Sequence, residues 1–378
     1  MYAIRSYYVS IETASILLRI TEFMHTKNKI DLSSLDQAAS FAVLLLHGLY
    51  ARADELKPIA EKLTKQFGKA IFIMQPTCRT GLKSLLQSID QQAAGMLQWL
   101  ELELIRYHKD PISFPLIIIG YSQGGVLACT LGKSYKFQLN ILGIITLNAP
   151  LMGTPLLELT RKDMQRFISD ATAGLAFIDY PLARIKWINT VAGWVYTLAR
   201  LDWAPVNGLK DIAPNSRCLK GIYKFLKDNL DIPCLLIGTY HNDLLSLFNT
   251  HIKTAKNQES IAQLNEAYGL FISGKKGAKH DTLIPLTSQL CKEENVHNLM
   301  ALDRKDLDHK YLPMVRPNHP PIRRKIYKRL LHARNLIAID PNLFVKQGET
   351  VLYAHLVSTD LIQYIEGLVQ NVGNVLKK

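Results

Sequence analysis

Apolar residues gather in short runs, separated by stretches with helical spacing. Phe41–Gly48 (FAVLLLHG), Ala70–Pro76 (AIFIMQP), Phe114–Gly120 (FPLIIIG), Ile141–Pro150 (ILGIITLNAP), Ile232–Gly238 (IPCLLIG) and Val296–Asp303 (VHNLMALD) carry apolar residues at successive positions. Runs apolar on both faces predict strands of a parallel sheet sandwiched between helices. Between them, Ala53–Phe67 and Gln123–Leu131 read as helices. Leu82–Tyr107 reads as one long helix, with Leu85, Leu86, Ile89, Ala93, Met96, Leu97 and Leu100 on one face. Strand–helix alternation of this kind predicts a doubly wound, mostly parallel α/β fold.

The alternation stops after Pro150. Residues 156–230 hold no strong strand pattern but are rich in apolar and aromatic residues at helical spacing. They read as a helical insertion, either a lid over the sheet edge or ordinary packing. The predicted organisation is a helical extension over 1–40, a core from 41–155 and 231–335, the insertion over 156–230, and a helical tail over 336–378. A second, smaller insertion is expected at about 239–270.

Composition narrows the class. The chain has 378 residues, 48% of them apolar, enough for a sizeable core. No apolar run approaches the roughly 18–20 residues of a membrane span. Arg5, Glu12, Arg19 and Glu22 interrupt the first residues, so no secretory signal is expected. The compartment expected is the cytoplasm, or the exterior by a route that needs no such signal. The five cysteines, Cys78, Cys129, Cys218, Cys234 and Cys291, form no CxxC pair and no metal spacing. They are expected to be reduced and to pack as small apolar residues, and no metal or cofactor is expected.

The net charge is +13, with cations dense in Ile322–Arg334. That segment reads either as a surface attracted to anionic phosphate groups or as the solvated face of an amphipathic helix. No motif interleaving aromatic and basic residues is present, so nucleic acid is not an expected partner. The pattern specifies no oligomeric state.

Candidate chemistry sits at the end of the third apolar run. Gly120-Tyr121-Ser122-Gln123-Gly124 fits G-x-S-x-G, fed by a strand and followed by a helix. That context is what a nucleophile elbow requires: a sharp turn that presents the serine at the carboxyl edge of the sheet. The oxyanion left by serine attack needs N–H donors. Gln123 supplies one, as the residue after the nucleophile, and Leu49, in the turn after the first strand, is the second candidate. In this fold an acid and then a histidine follow the serine in chain order. Asp281 and His309 fit that order, with Asp243 as a rival acid and His319 and His355 as rival bases. His47 precedes the serine and reads as structural. In this arrangement His309 takes the serine proton, Asp281 orients the imidazole, and Ser122 forms an acyl-enzyme.

Several segments together resemble α/β-hydrolases of the lipase and GPI inositol-deacylase-like group. They are LLLHGLYARADELKPIAEKL, LIIIGYSQGGVLA, ITLNAPLMGTP, GLKDIAPNSRCLKGI, HDTLIPLTSQ and DHKYLPMVRP. The resemblance spans about residues 41–331 and departs at Thr282, where the acid loop usually has glycine. It implies a serine ester hydrolase with Ser122, Asp281 and His309 as its triad, acting on acyl esters, often of lipids. The apolar insertion and the basic surface are compatible with a substrate at a membrane. Two other readings stay open at this stage: acyl transfer with the same triad, and a non-catalytic partner-binding protein with the hydrolase fold.

Overall fold

The computed structural model describes residues 39–49, 51, 53–158, 162–163, 206–229, 231–238, 262–263, 266–267, 269–273, 278–281, 283–291, 299–303 and 361–370. Its strands are β1 (Phe41–Leu46), β2 (Ile71–Met74), β3 (Leu116–Tyr121), β4 (Ile141–Leu147), β5 (Cys234–Gly238) and β6 (Leu299–Asp303). They form one sheet in the order β2-β1-β3-β4-β5-β6, and every neighbouring pair is parallel. Each of the six predicted apolar runs contributes one of these strands.

Side-chain alternation along the strands sorts them into two cores. Ala42, Leu44, Leu46, Leu116, Ile118, Ile144, Cys234 and Leu236 face one side. Phe41, Val43, Leu45, Ile117, Ile119, Ile145, Leu147, Leu235 and Ile237 face the other. Each residue step reverses direction, so a strand buried on both faces must be apolar throughout. Helices then cover both faces, as a doubly wound fold demands.

The first face is covered by α3 (Ile89–Arg106), α4 (Gln123–Tyr135) and α6 (Arg217–Asp228). The second is covered by α1 (Lys57–Phe67) and by a helix at 361–370, through its buried Leu361, Ile365 and Leu368. Two shorter helices complete the first side, α2 (Leu82–Leu86) and α5 (Asn207–Lys210).

The long helix predicted over Leu82–Tyr107 is two helices. Gln87 leaves helical geometry with ψ at 139°, and α3 restarts under a capping box. The Ser88 side chain accepts from Gln91 N–H at 3.2 Å, and the Gln91 side chain accepts from Ser88 N–H at 2.9 Å. Asp211 adds a further acceptor, taking the Ile89 N–H at 2.6 Å. Three of the donors orphaned at the start of α3 are thereby satisfied, so the break is a designed start rather than a kink.

Within 156–230, residues 156–158, 162–163 and 206–229 are described, and the last of these groups contributes to the main core. Cys218, Leu219, Ile222 and Leu226 of α6 are buried against α4 and the sheet. Ser216 caps this helix by accepting from Leu219 N–H. The remainder of that stretch, read as a lid or as ordinary packing, and most of 239–270 lie outside the described residues. Cys129, Cys218, Cys234 and Cys291 are buried free thiols, and Cys78 is partly buried. Burial pushes the Cys218 and Cys234 thiols up to about 12, which leaves them protonated and inert. No helix among the described residues is long and apolar enough to cross a membrane.

Candidate active site

Ser122 occupies the one-residue turn between β3 and α4. Its backbone has φ 53° and ψ −124°, a region that L-residues rarely adopt. Such a conformation costs about 1–3 kcal/mol and persists only where the surroundings enforce it. Here two glycines allow the enforcement. A Cβ on Gly120 would lie 2.2 Å from the carbonyl oxygen of Gly124, and a Cβ on Gly124 would lie 2.2 Å from the carbonyl oxygen of Leu46. No larger residue fits either place. β3 and α4 therefore meet at contact distance, and the first turn of α4 lies directly on the end of β1. Ser122 N–H is held by Leu147 O at 2.8 Å, and Ser122 O accepts from Gly125 N–H at 2.9 Å.

The close approach of Gly124 to Leu46 and His47 brings the His47-Gly48-Leu49 turn beside the start of α4. The Leu49 and Gln123 N–H groups donate to no acceptor among the described residues. The Gln123 N–H lies at the amino end of a thirteen-residue helix, where the helix dipole favours negative charge. His47 is fully buried beside this turn. Its Nδ1 pairs with Gly48 O at 2.8 Å, and Nε2 has no partner among the described residues. Burial, reinforced by the nearby Arg79 cation, drives its pKa down to about 3. A neutral, buried imidazole of that pKa is a poor proton acceptor at neutral pH, which fits a structural role.

A polar network unmarked in the sequence holds these pieces together. Arg79, 1% exposed, donates to His47 O at 2.6 Å, to Gln92 Oε1 at 3.0 Å and to Gln123 Oε1 at 3.0 Å. The Gln123 amide donates in turn to Ser84 O at 2.9 Å and Gly208 O at 2.8 Å. The Gln92 amide donates to Ser84 O and Gln87 O. Arg79 thus joins the turn after β1 to the first residue of α4, and α2, α3 and α5 join through the two glutamines. The Gln123 side chain is fully engaged in this scaffold, so only its backbone faces any chemistry at Ser122.

Asp281 is 3% exposed and lies in a tight loop closed by the His280–Pro285 bridge. Its Oδ1 accepts from Leu283 N–H at 3.0 Å and Ile284 N–H at 2.8 Å. Its Oδ2 accepts from the Asn148 amide at 3.1 Å. Asn148 follows β4, whose last residue, Leu147, is the one that holds Ser122 N–H. Asp281 and Ser122 are therefore tied to consecutive residues of the same strand end. Its neighbour His280 is buried, and burial lowers its pKa to about 4. His309, the rival acid Asp243 and the rival bases His319 and His355 lie outside the described residues, as does the basic segment 322–334. Arg79 and Asn148 had no signal in the sequence, because neither belongs to a periodic pattern or a spaced motif.

No family model matches the chain, and no curated protein matches its sequence. Solved structures do. Phospholipase PlaB from Legionella pneumophila shares 11% identity at a TM-score of 0.45, covering 85% of this chain and 64% of PlaB, so the chain spans less than two thirds of that protein. The mature form of Bacillus licheniformis lipase BlEst2 shares 14% identity at a TM-score of 0.37, covering 72% of this chain and 85% of the lipase. An extracellular α/β-hydrolase from a Paenibacillus species shares 19% identity at a TM-score of 0.30, covering 52% and 76%. The order of the parallel sheet, the helices on both faces and the strained serine between β3 and α4 are those of an α/β-hydrolase fold.

Proposed function

We propose that this chain is a serine ester hydrolase acting on acyl esters of lipid type. The observation that carries the reading is the backbone of Ser122: a non-glycine residue held at φ 53° at the carboxyl edge of a parallel sheet, beside two backbone N–H groups that donate to no acceptor among the described residues. Strain held by its surroundings at the end of a strand, on a side chain able to act as a nucleophile, points to function. In the proposed reaction Ser122 Oγ attacks the acyl carbonyl carbon while its proton passes to His309. The carbonyl electron pair moves onto oxygen, where the Leu49 and Gln123 N–H groups receive it. Collapse of this intermediate breaks the ester C–O bond, and the alcohol leaves with the proton from His309. Water then repeats the sequence on the acyl-enzyme and releases the carboxylic acid. Asp281 stabilises the imidazolium. His309 takes its place here by chain order and by resemblance.

The lipid-type substrate is supported by α2. Ser84 on this helix accepts from the Gln123 side chain, which ties α2 to the scaffold behind the elbow, and its Leu82 and Leu86 are 58% and 42% exposed. In this reading the two exposed leucines receive the apolar arm of the substrate. Two experiments test the proposal. A fluorophosphonate should label the native chain and leave Ser122→Ala unlabelled; absence of label on the native chain would sink the hydrolase reading. With p-nitrophenyl esters, Leu82→Ser with Leu86→Ser should lower kcat/KM for long acyl chains and spare short ones. Equal loss for both lengths would argue against an acyl-binding role for α2.

A further inference from the structure

The end of β4 serves two partners at once. Leu147 O receives the Ser122 N–H at 2.8 Å, and Asn148, the next residue, donates its side-chain amide to Asp281 Oδ2 at 3.1 Å. Asn148 is 1% exposed and sits in the left-handed region at φ 50°. Its own N–H is fixed by Ile237 O of β5 at 2.9 Å. Its backbone is therefore clamped on one side by the elbow strand and on the other by β5. Asparagine tolerates this φ better than most residues, and few side chains combine that tolerance with an amide donor.

The Asp281 loop does not need Asn148 to close. Leu283 and Ile284 already satisfy Oδ1, and Asp281 N–H bonds Ile284 O at 3.2 Å. What Asn148 adds is a fixed point outside that loop. It sets the second carboxylate oxygen relative to a strand end that also holds Ser122. We infer that Asn148 is a positioning residue for the acid: it locks the Asp281 carboxylate into one orientation relative to the nucleophile. This rests on the hydrolase reading above, with Asp281 as acid.

The test uses the full chain and a soluble short-chain p-nitrophenyl ester. Asn148→Gly accepts φ 50° and removes the donor. Asn148→Asp keeps shape and backbone preference but replaces the amide with a second carboxyl, which shares a proton with Asp281. Asn148→Gly should lower kcat by roughly 10- to 100-fold with KM little changed, the scale expected when a catalytic group is misplaced. Asn148→Asp should add a second ionisation to the acid limb of the kcat/KM–pH profile, because two carboxyls at hydrogen-bond distance share one proton and its loss adds the charge that stabilises the imidazolium. A role confined to stability would lower the melting temperature and leave the limb in place. Asp281→Asn separates the two levels. If Asp281→Asn keeps native activity, the acid assignment fails and this inference with it. If Asp281→Asn is inactive while Asn148→Asp keeps the native kcat and limb, the inference alone is overturned. Should Asn148→Gly not fold, Asn148→Asp carries the test.

Discussion

Arg79 brings a permanent positive charge into a site with 1% exposure, and three acceptors from separate elements surround it. Removing one side of such an arrangement leaves buried acceptors without donors, at roughly 1–3 kcal/mol each. Arg79→Met is therefore expected to lower unfolding free energy by about 3 kcal/mol or more, read from urea denaturation. Arg79→Lys should recover only part of that loss, since an ammonium cannot reproduce a guanidinium's planar fork. At Gly124, the obstruction is the backbone of Leu46 and His47, which cannot swing aside. Gly124→Ala should abolish both fluorophosphonate labelling and the native melting transition; a normally folded, labelled variant would contradict the close approach. The two kinds of residue differ in how well the sequence announces them. Ser122 and its glycines are legible because the elbow's constraints fall on adjacent positions. Gln123, Arg79 and Asn148 act through partners 13 to 133 residues away, and no local spacing encodes such contacts.

Elements were legible where one physical rule governed them. All six strands announced themselves as apolar runs, and in β1, β3 and β5 every residue is buried. The α2–α3 break did not, because Leu85, Leu86, Ile89 and Ala93 keep helical spacing across it and the side-chain stripe outlives the backbone interruption. The signal was nonetheless present as Ser88-Ile-Asp-Gln91, a capping-box pattern that periodicity alone overrides. Ser88→Ala is expected to cost about 1 kcal/mol, seen as a lower urea midpoint with an unchanged m-value. α6 shows the opposite case. It lay in a stretch read as an insertion because that stretch holds no strong strand pattern and has apolar residues at helical spacing, yet its apolar side completes the first core. Membership of a core is decided by what a helix packs on, which helical spacing alone does not report.

Two buried histidines among the described residues contribute to the molecule's acid response. His47 and His280 have pKa values of about 3 and about 4 in the fold, against an ordinary value of 6.5. Unfolding exposes both, so the unfolded chain binds more protons between these limits. Stability is therefore intact above about pH 6.5 and is lost as pH falls toward 4. At pH 5 each histidine accounts for roughly 2 kcal/mol of that loss. Urea midpoints at pH 7 and pH 5 should differ sharply for the native chain. The difference should shrink in His280→Gln, whose side chain keeps polar atoms but cannot titrate. An unchanged pH difference in that variant would mean that other groups control acid sensitivity.

The helix at 361–370 carries a consequence for how the molecule is made. Its Leu361, Ile365 and Leu368 cover the face formed by Val43, Leu45, Ile117, Ile119 and Ile145, and Leu368 lies against Gly143. The ribosome completes β4 long before it reaches these residues. At about 5–20 residues per second, that interval lasts roughly 10–40 s. Throughout it, α1 is in place on that face but the second covering helix is not, so the part of the face around Gly143 waits for its Leu368. Slowing synthesis of residues 148–360 is therefore expected to lower the yield of native chain.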